Sequence, residues 1–269
     1  MKNPKISIIT PCYNSRKYIE KCINSVVSQT YKNIESIIVD GASNDGTLDI
    51  LEKYKDKIIY ISEKDNGNYD AIKKGFKMAT GDIITWIDSD NYYYQNDIIE
   101  KIAEVFINKE VEIVITNSYS HYEGSKKMTL VNPSEQKINS SDLINQGNMF
   151  MPECSFYKKN LYDRSGGLNL EYKFLADYEL WIKIFNLNPK LIKLPIVSSV
   201  YEVRGDALLR KNFFRVWQEG FVIGKIYNRD FISKIAVYIL YIKAIIRYLL
   251  TSIISKNKRL RKFILKRFY

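Results

Sequence analysis

The stretch WIDSDN (Trp86–Asn91) ends an apolar run in two aspartates with one residue between them. Extended-chain alternation would turn Asp88 and Asp90 to one side, where both carboxylates can converge on one ion. Oxygen-only ligands suit a hard cation, Mg²⁺ or Mn²⁺, which completes its shell with water and phosphate oxygens. The same residues could equally be the polar end of a strand. Asp40 poses a similar choice in VDGASNDGT (Val39–Thr47). It could accept hydrogen bonds from a nucleotide base or ribose, or it could simply precede a tight turn at Asp45-Gly46. In EKDNGNYDAIKKG (Glu63–Gly75), Asp65 lies in a loop and Asp70 opens a helix, where the helix dipole favours an acid in any case.

The elements that must position these residues alternate in type. KISIIT, ESIIVD, IIYIS, IITWID and VEIVITNS are short, apolar and β-branched, as expected of strands buried on both faces. Between them, NSRKYIEKCINSVVSQT, TLDILEKYKD, YDAIKKGFKMA and NDIIEKIAEVFIN repeat apolar residues at helical spacing, with Asn14 or Ser15 available to cap the first. This alternation predicts an α/β fold with a mostly parallel sheet flanked by helices. Ligands in such sheets bind outside the carboxyl ends of the strands. Thr10, Asp40, Glu63, Asp65, Asp88 and Asp90 all fall there. From His121 to Met151 loops and short strands are expected. LADYELWIKIFN then reads as a helix, KLIKLPIVSSVYEV as one or two strands, and the chain past Gly205 as helical.

No GxGxxG follows the first strand, where TPCYNS stands, and no GxxxxGK[ST] occurs in the sequence. Dinucleotide-binding and P-loop readings therefore fail. The 269 residues carry a net charge of +11, and ten of those charges belong to the acid-free segment after Asp230. A nearly neutral body with a basic tail is not a nucleic-acid-binding protein. Cys12, Cys22 and Cys154 lack CxxC spacing and are expected to be reduced thiols in a cytosolic compartment. The start MKNPKISIIT lacks a signal-peptide apolar run, and no stretch is apolar enough to span a membrane. His121, the only histidine, receives no role.

Four segments together carry a resemblance: ISIITPCYNSRKYIEKCINSVVSQTYKNIESIIVDGASNDGT, EKDNGNYDAIKKG, GDIITWIDSD and GGLNLEYKFLADYELWIKI. In order, over roughly residues 5–200, they resemble the motifs of the family 2 glycosyltransferases, inverting enzymes of the GT-A fold. The resemblance implies that Thr10, Pro11 and Tyr13 wall a uracil ring and that Asp40 bonds it. It implies that Asp65, Asp70 and Lys74 border the nucleotide, with Asp70 near the ribose. Asp90 would hold Mn²⁺ or Mg²⁺, Asp88 the ribose or the metal, and Asp177 would be the catalytic base. Three positions depart from the pattern: Asn91 in place of an aspartate, Lys73 in place of an asparagine, and Ala176 in place of the glutamate before the base. The last departure leaves Glu179 as a rival base, although on a helix it points about 200° away from Asp177. Glu153, Glu179 and Trp181 are expected as contacts to acceptor or donor sugar. Trp86 and Trp181 are nevertheless read first as core and cleft-wall packing, with sugar stacking the alternative, and Glu153 could equally be a solvated loop carboxylate.

The implied arrangement is a catalytic domain over residues 1–205 and a helical tail over 206–269. Within the domain, 1–120 would bind nucleotide-sugar and 121–205 would face the acceptor. In FISKIAVYILYIKAIIRYLLTSIIS, Ile235, Ile239, Ile242, Ile246, Leu249, Leu250 and Ile253 share one helical face, and KNKRLRKFILKRFY follows with seven basic residues in fourteen. An in-plane amphipathic anchor on an anionic membrane surface through residues 231–269 is expected, against the alternative of a helix packed on the body. The function expected is transfer of a hexose, glucose favoured, from a UDP-sugar to a polyprenyl-diphosphate-linked saccharide. Its place would be the cytoplasmic face of the inner membrane, in O-antigen or capsule assembly. The rivals are a nucleotidyltransferase of similar fold and a non-catalytic partner of another transferase.

Overall fold

A computed structural model describes residues 2–132, 143, 151–203 and 212–227. The chain forms two compact units, Met1–Lys211 and Asn212–Tyr269. In the first, strands β1 (Ile6–Cys12), β2 (Ile34–Asp40), β3 (Ile59–Ser62) and β4 (Ile83–Trp86) alternate with helices α1 (Ile19–Val27), α2 (Thr47–Lys53) and α3 (Asn68–Met78). A two-residue strand β5 (Tyr92–Tyr93) leads to helix α4 (Ile98–Asn108) and then to strands β6 (Ile113–Tyr122) and β7 (Met128–Val131). A 3₁₀ turn at Pro152–Cys154 opens β8 (Ser155–Lys158), followed by α5 (Lys159–Arg164), α6 (Ala176–Asn186) and β9 (Leu191–Val203). Among the described residues, the second unit shows helix α7 (Phe213–Tyr227). No described helix is long and apolar enough to cross a membrane. The expected tail helix and basic segment, 231–269, lie outside the described residues.

Strands lie in the order β3-β2-β1-β4-β8-β6-β9-β5, with β7 on β6. The β3, β2, β1 and β4 pairings are parallel, as the alternating pattern requires, and β6 pairs β9 in parallel. β8 runs antiparallel between β4 and β6. Its direction has a consequence for the site: β8 starts, rather than ends, at the edge where its neighbours end. That places the Pro152–Cys154 turn beside the carboxyl end of β4. The sequence pattern missed both β5 and β8, because YY is only two residues long and SFYK lacks the run of β-branched apolar residues that marks the equally short β3 and β4. KLIKLPIVSSVYEV forms a single strand, and His121 sits on β6 rather than in a loop.

Apolar spacing explains which faces pack. Ile98, Ile99, Ile102, Ala103 and Phe106 of α4 join Cys22 and Val26 of α1 against Ile6, Ile8, Ile83 and Phe156. Ile19 and Ile23 join Ile50 and Leu51 of α2 over Ile38. Each such side chain contributes roughly 1.5–3 kcal/mol by leaving water. On α3, a Cβ at Gly75 would lie 2.5 Å from Ile9 Cγ2, so the helix approaches β1 as closely as a glycine permits.

At the opposite edge, Glu35 of β2 is a buried carboxylate with four donors. Lys5 Nζ reaches Oε1 at 2.7 Å and Ser7 Oγ reaches Oε2 at 2.6 Å, while Thr80 donates N–H and hydroxyl at 2.9 and 2.8 Å. Burial alone would raise this carboxyl, but Lys5, Ser7 and Thr80 together hold it down to about 2. A lowered folded-state value means stability present above the ordinary carboxyl range and lost as pH falls toward 2. Glu35→Gln should therefore cost about 2 kcal/mol at pH 7. The wild-type advantage in urea unfolding should shrink between about pH 4.5 and pH 2. An advantage that is constant across that window would show that Glu35 is not held ionised by these partners.

Candidate active site

Three loops at the carboxyl edge are stitched together by side chains. Cys12 pairs with Asp40 across β1 and β2, and Ile87 N–H donates to Ile9 O at 2.9 Å, so Thr10–Tyr13 lies between the Asp40 and Asp88 turns. Asn14 N–H donates to Ser43 Oγ at 2.7 Å, and Asn44 N–H returns to Asn14 Oδ1 at 3.0 Å. Asp45 accepts from Thr47 N–H at 3.0 Å and from Arg16 N–H at 3.0 Å, which fixes the Asp45-Gly46 turn, with Gly46 at φ +92°. Ser15 does not cap α1 with its side chain. Its carbonyl accepts from Tyr18 and Ile19 N–H, and its hydroxyl meets Ser89 Oγ at 2.8 Å.

The Asp88–Asn91 stretch is a β-turn closed by Asn91 N–H on Asp88 O at 2.9 Å, not the extended segment that alternation suggested. Ser89 is drawn back to Ser15, and both aspartates are half-buried on the flanks of the turn. Both bear on Glu153: burial first, then Asp88 and Asp90, push its carboxyl up to about 8. Glu153 is only 1% exposed and Asn91 donates to it at 3.4 Å, so it is a buried acid, not a solvated loop carboxylate. Asn91 also accepts from Glu202 N–H at 3.0 Å, pinning the turn to β9.

Asp40 is fully buried, and its carboxylate accepts from Ser43 N–H at 2.9 Å, Ser62 Oγ at 2.6 Å and the Ser43 hydroxyl. Those bonds shape the loop after β2, and they occupy the carboxylate expected to bond a base. Tyr13, 63% exposed, stands at the loop surface, whereas Thr10 and Pro11 are buried beneath it. Asp65 Oδ1 accepts from Gly67 N–H at 2.9 Å. Its Oδ2 lies 2.6 Å from where a Cβ on Gly41 would be, so the Asp65 carboxylate occupies the volume a side chain at 41 would need. Asp70 accepts from Asn66 N–H at 3.0 Å and lies 3.6 Å from Lys74, which pairs with Glu63 at 2.8 Å.

Asp177, in the first turn of α6, accepts from Tyr69 OH at 2.6 Å. Next to Tyr69 in sequence, Asn68 Nδ2 donates to Asp88 Oδ1 at 3.4 Å. The start of α3 therefore touches both the aspartate turn and the helix that carries Asp177. Glu179 is buried and pairs with Lys183 at 2.8 Å, and Lys183 also donates to Gly167 O at 2.6 Å. Trp181 is 0% exposed, its ring edge-on to Tyr157 at 5.6 Å. Both residues are core: Glu179 is corrected from a candidate sugar contact to a buried ion-pair partner, and Trp181 takes the packing role rather than the sugar-stacking alternative. Trp86 is likewise core, against Phe76 at 5.7 Å. His121 bridges Glu202 Oε2 and Ser125 O, each at 2.8 Å.

The fit of a metal can be judged from these donors. No group of three or more acid, histidine or cysteine ligands gathers among the described residues. Asp88 and Asp90 offer oxygen only, with a third carboxyl held behind them. That suits a hard cation bound through one or two carboxylates plus water and phosphate, and it does not suit an all-protein cage. Glu153 and Tyr69 were the residues the sequence underrated. The signal for Tyr69 was its place beside Asp70 in a helix start at the carboxyl edge.

Comparison with known proteins adds four findings. The model of the family described as Glycosyl transferase family 2 matches residues 7–166. An uncharacterized glycosyltransferase of Rickettsia prowazekii is 33% identical over 217 residues, 74% of this chain, and the chain spans only 61% of that relative's length. The UDP-Glc:alpha-D-GlcNAc-diphosphoundecaprenol beta-1,3-glucosyltransferase WfaP of Escherichia coli is 32% identical over 228 residues, 82% of this chain and 86% of the relative. In fold, the crystal structure of S. aureus TarS 1-349 in complex with UDP-GlcNAc superposes with a TM-score of 0.67 at 21% identity, covering 81% of this chain and 66% of that one.

Glu153 gives a pH test of this geometry. A raised folded-state carboxyl means stability that declines as pH climbs from the ordinary value of 4.5 to about 8. In chelator, Glu153→Gln should match the wild type near pH 4.5 and melt progressively higher than it toward pH 8. Identical melting temperatures across that range would show that Glu153 does not hold a proton beside the aspartate turn.

Proposed function

The chain belongs to glycosyl transferase family 2 and has the GT-A fold, and on that premise we propose that it is an inverting hexosyltransferase using a UDP-sugar. The observation that carries the proposal is the pair of contacts from adjacent residues of α3, Asn68 to Asp88 and Tyr69 to Asp177. They set the aspartate turn and the first turn of α6 on either side of one helix end. A donor's diphosphate and an acceptor's attacking hydroxyl have to meet at one place, and one helix end in contact with both segments supports that reading.

In the proposed mechanism, the acceptor oxygen bonds the sugar C1 as the C1–oxygen bond to the diphosphate breaks, its electron pair leaving with UDP. Asp177 takes the acceptor's proton, and attack from the face opposite the leaving group inverts the anomeric centre. Asp90, with Asp88, would hold Mn²⁺ or Mg²⁺, whose charge offsets that of the departing diphosphate. Thr10, Pro11 and Tyr13 would flank the base, and Asp65, Asp70 and Lys74 would border the nucleotide. Asp40 would act there through the loop that its carboxylate organises. Glu153, behind the aspartate turn, would support that turn and leave the sugar to other groups.

The acceptor is proposed to be a polyprenyl-diphosphate-linked saccharide, and the donor sugar glucose. The named reaction of the Escherichia coli relative supports both. Residues 1–205 would form the catalytic domain and 206–269 a tail that rests on an anionic membrane surface through 231–269. The location would be the cytoplasmic face of the inner membrane, in assembly of a surface polysaccharide such as O-antigen or capsule. The end of the first compact unit at Lys211 is compatible with that division.

Two measurements test the reading. Purified protein with Mn²⁺ should transfer sugar from one member of a UDP-hexose panel to a synthetic hexosamine-diphosphate-lipid, and EDTA should abolish transfer; undiminished activity in EDTA would end the metal assignment. Deleting residues 231–269 should release the protein from vesicles containing anionic lipid. A truncated form that still sediments with them would place the attachment elsewhere.

A further inference from the structure

The hydroxyl of Tyr69 does something its ring does not require. It lies 2.6 Å from Asp177 Oδ1 and 3.1 Å from the carbonyl oxygen of Phe174, joining α3 to the segment that opens α6 across more than a hundred residues of chain. The shorter distance is that of a hydroxyl donating to an ionised carboxylate. The hydroxyl's one proton is shared unequally between the two, and with Asp177 ionised the carboxylate, nearer and the stronger acceptor, takes the larger part.

We propose that Tyr69 is a positioning residue for the catalytic base, holding the Asp177 carboxylate in one orientation and in its ionised form until the acceptor arrives. The inference rests on the reading of Asp177 as the base. Two physical arguments support it. A hydrogen bond donated to a carboxylate favours the charged form, and it removes the side-chain rotation that would otherwise have to be frozen during attack. The Phe174 carbonyl gives the same hydroxyl a second acceptor. When Asp177 has taken the acceptor's proton its pull on Tyr69 weakens, and the hydroxyl can turn to Phe174 O without losing a partner. Tyr69 keeps its own proton throughout; the only proton that changes owner passes from the acceptor hydroxyl to Asp177.

The surroundings keep Tyr69 in that role. Burial first, then the charges of Asp177 on α6 and Asp88 on the aspartate turn, hold the phenol well above its ordinary range, so it stays a neutral donor. The loop entering α6 is held in turn by two lysines, Lys73 of α3 on Leu168 O at 2.9 Å and Lys183 on Gly167 O at 2.6 Å. Lys73, one of the three departures from the family pattern, thus reinforces the same α3-to-α6 connection.

The experiment compares Tyr69→Phe, which removes one oxygen and keeps the ring, with Asp177→Asn, using the UDP-hexose and synthetic lipid acceptor that give turnover with the wild type. Tyr69→Phe should lower kcat about 10- to 100-fold, up to the cost of a catalytic group displaced by about 1 Å. The KM for UDP-hexose and the calorimetric Kd for UDP should stay unchanged. The acidic limb of kcat/KM should move up by about one pH unit, because the carboxylate has lost a donor. A purely structural role would not move that limb. Wild-type kcat and an unmoved limb in Tyr69→Phe, with Asp177→Asn inactive, would overturn the Tyr69 inference and leave the base reading standing. Loss of UDP affinity in Tyr69→Phe would assign the residue to the nucleotide site and overturn it as well. Full activity in Asp177→Asn would remove the base reading, and the Tyr69 inference with it.

Discussion

Like charge crowded at one edge of a sheet is the constraint around which this protein is built. Asp40, Asp65, Asp70, Asp88, Asp90, Glu153 and Asp177 all lie at or near the carboxyl ends of the strands or the helix starts beside them. Carboxylates gathered at one edge repel, and where they are buried the repulsion is stronger than in water, as Asp88 and Asp90 act on Glu153. The molecule answers each acid separately. Asp40 is surrounded by donors from Ser43 and Ser62, Asp70 by Asn66 and Lys74, and Asp177 by Tyr69. Glu153, with a long bond from Asn91, is instead pushed toward its neutral form by burial and by Asp88 and Asp90. Asp88, which accepts from Asn68 Nδ2 at 3.4 Å, and Asp90 lie half-buried on the turn at that same edge.

Most of that edge could be read from the sequence, because a parallel α/β sheet leaves few choices. Apolar strands separated by helical spacing fix which residues fall at carboxyl ends, and the polar residues there announce themselves. Directions of side chains were less legible. The reading of Asp88 and Asp90 as neighbours on an extended segment assumed that the strand continued. It stops at Trp86, and what brings the acids together is a turn whose middle residue is pulled away by Ser15. Asp40 was legible as a strand-end acid, but not as one already saturated. Its partners are Ser43, three residues on, and Ser62 on the neighbouring strand, and only the β2–β3 register sets the latter opposite it.

The losses came where the fold departs from simple alternation. β8 is four residues long and antiparallel, so neither its existence nor its direction is written in a periodic pattern. Without it, Glu153 looked like a loop residue. Trp181 and Glu179 misled for the opposite reason. Two and four residues after the half-buried Asp177, Glu179 and Trp181 are turned inward by α6, against Lys183 and Tyr157. Asn91, out of pattern against the family, is accounted for by its two buried bonds, one to Glu153 and one from β9. An aspartate there would face an acid it could not donate to.

The close approach of Gly41 to Asp65 carries a consequence for how such sites diverge. The two residues share one volume: a Cβ on residue 41 would sit 2.6 Å from the Asp65 carboxylate. A homologous chain with a side chain at 41 must shorten, swap or re-aim residue 65, and because the contact is with the far end of the Asp65 side chain, re-aiming its carboxylate is the smallest of those changes. Positions on separate loops, twenty-four residues apart, are thereby coupled through one shared volume.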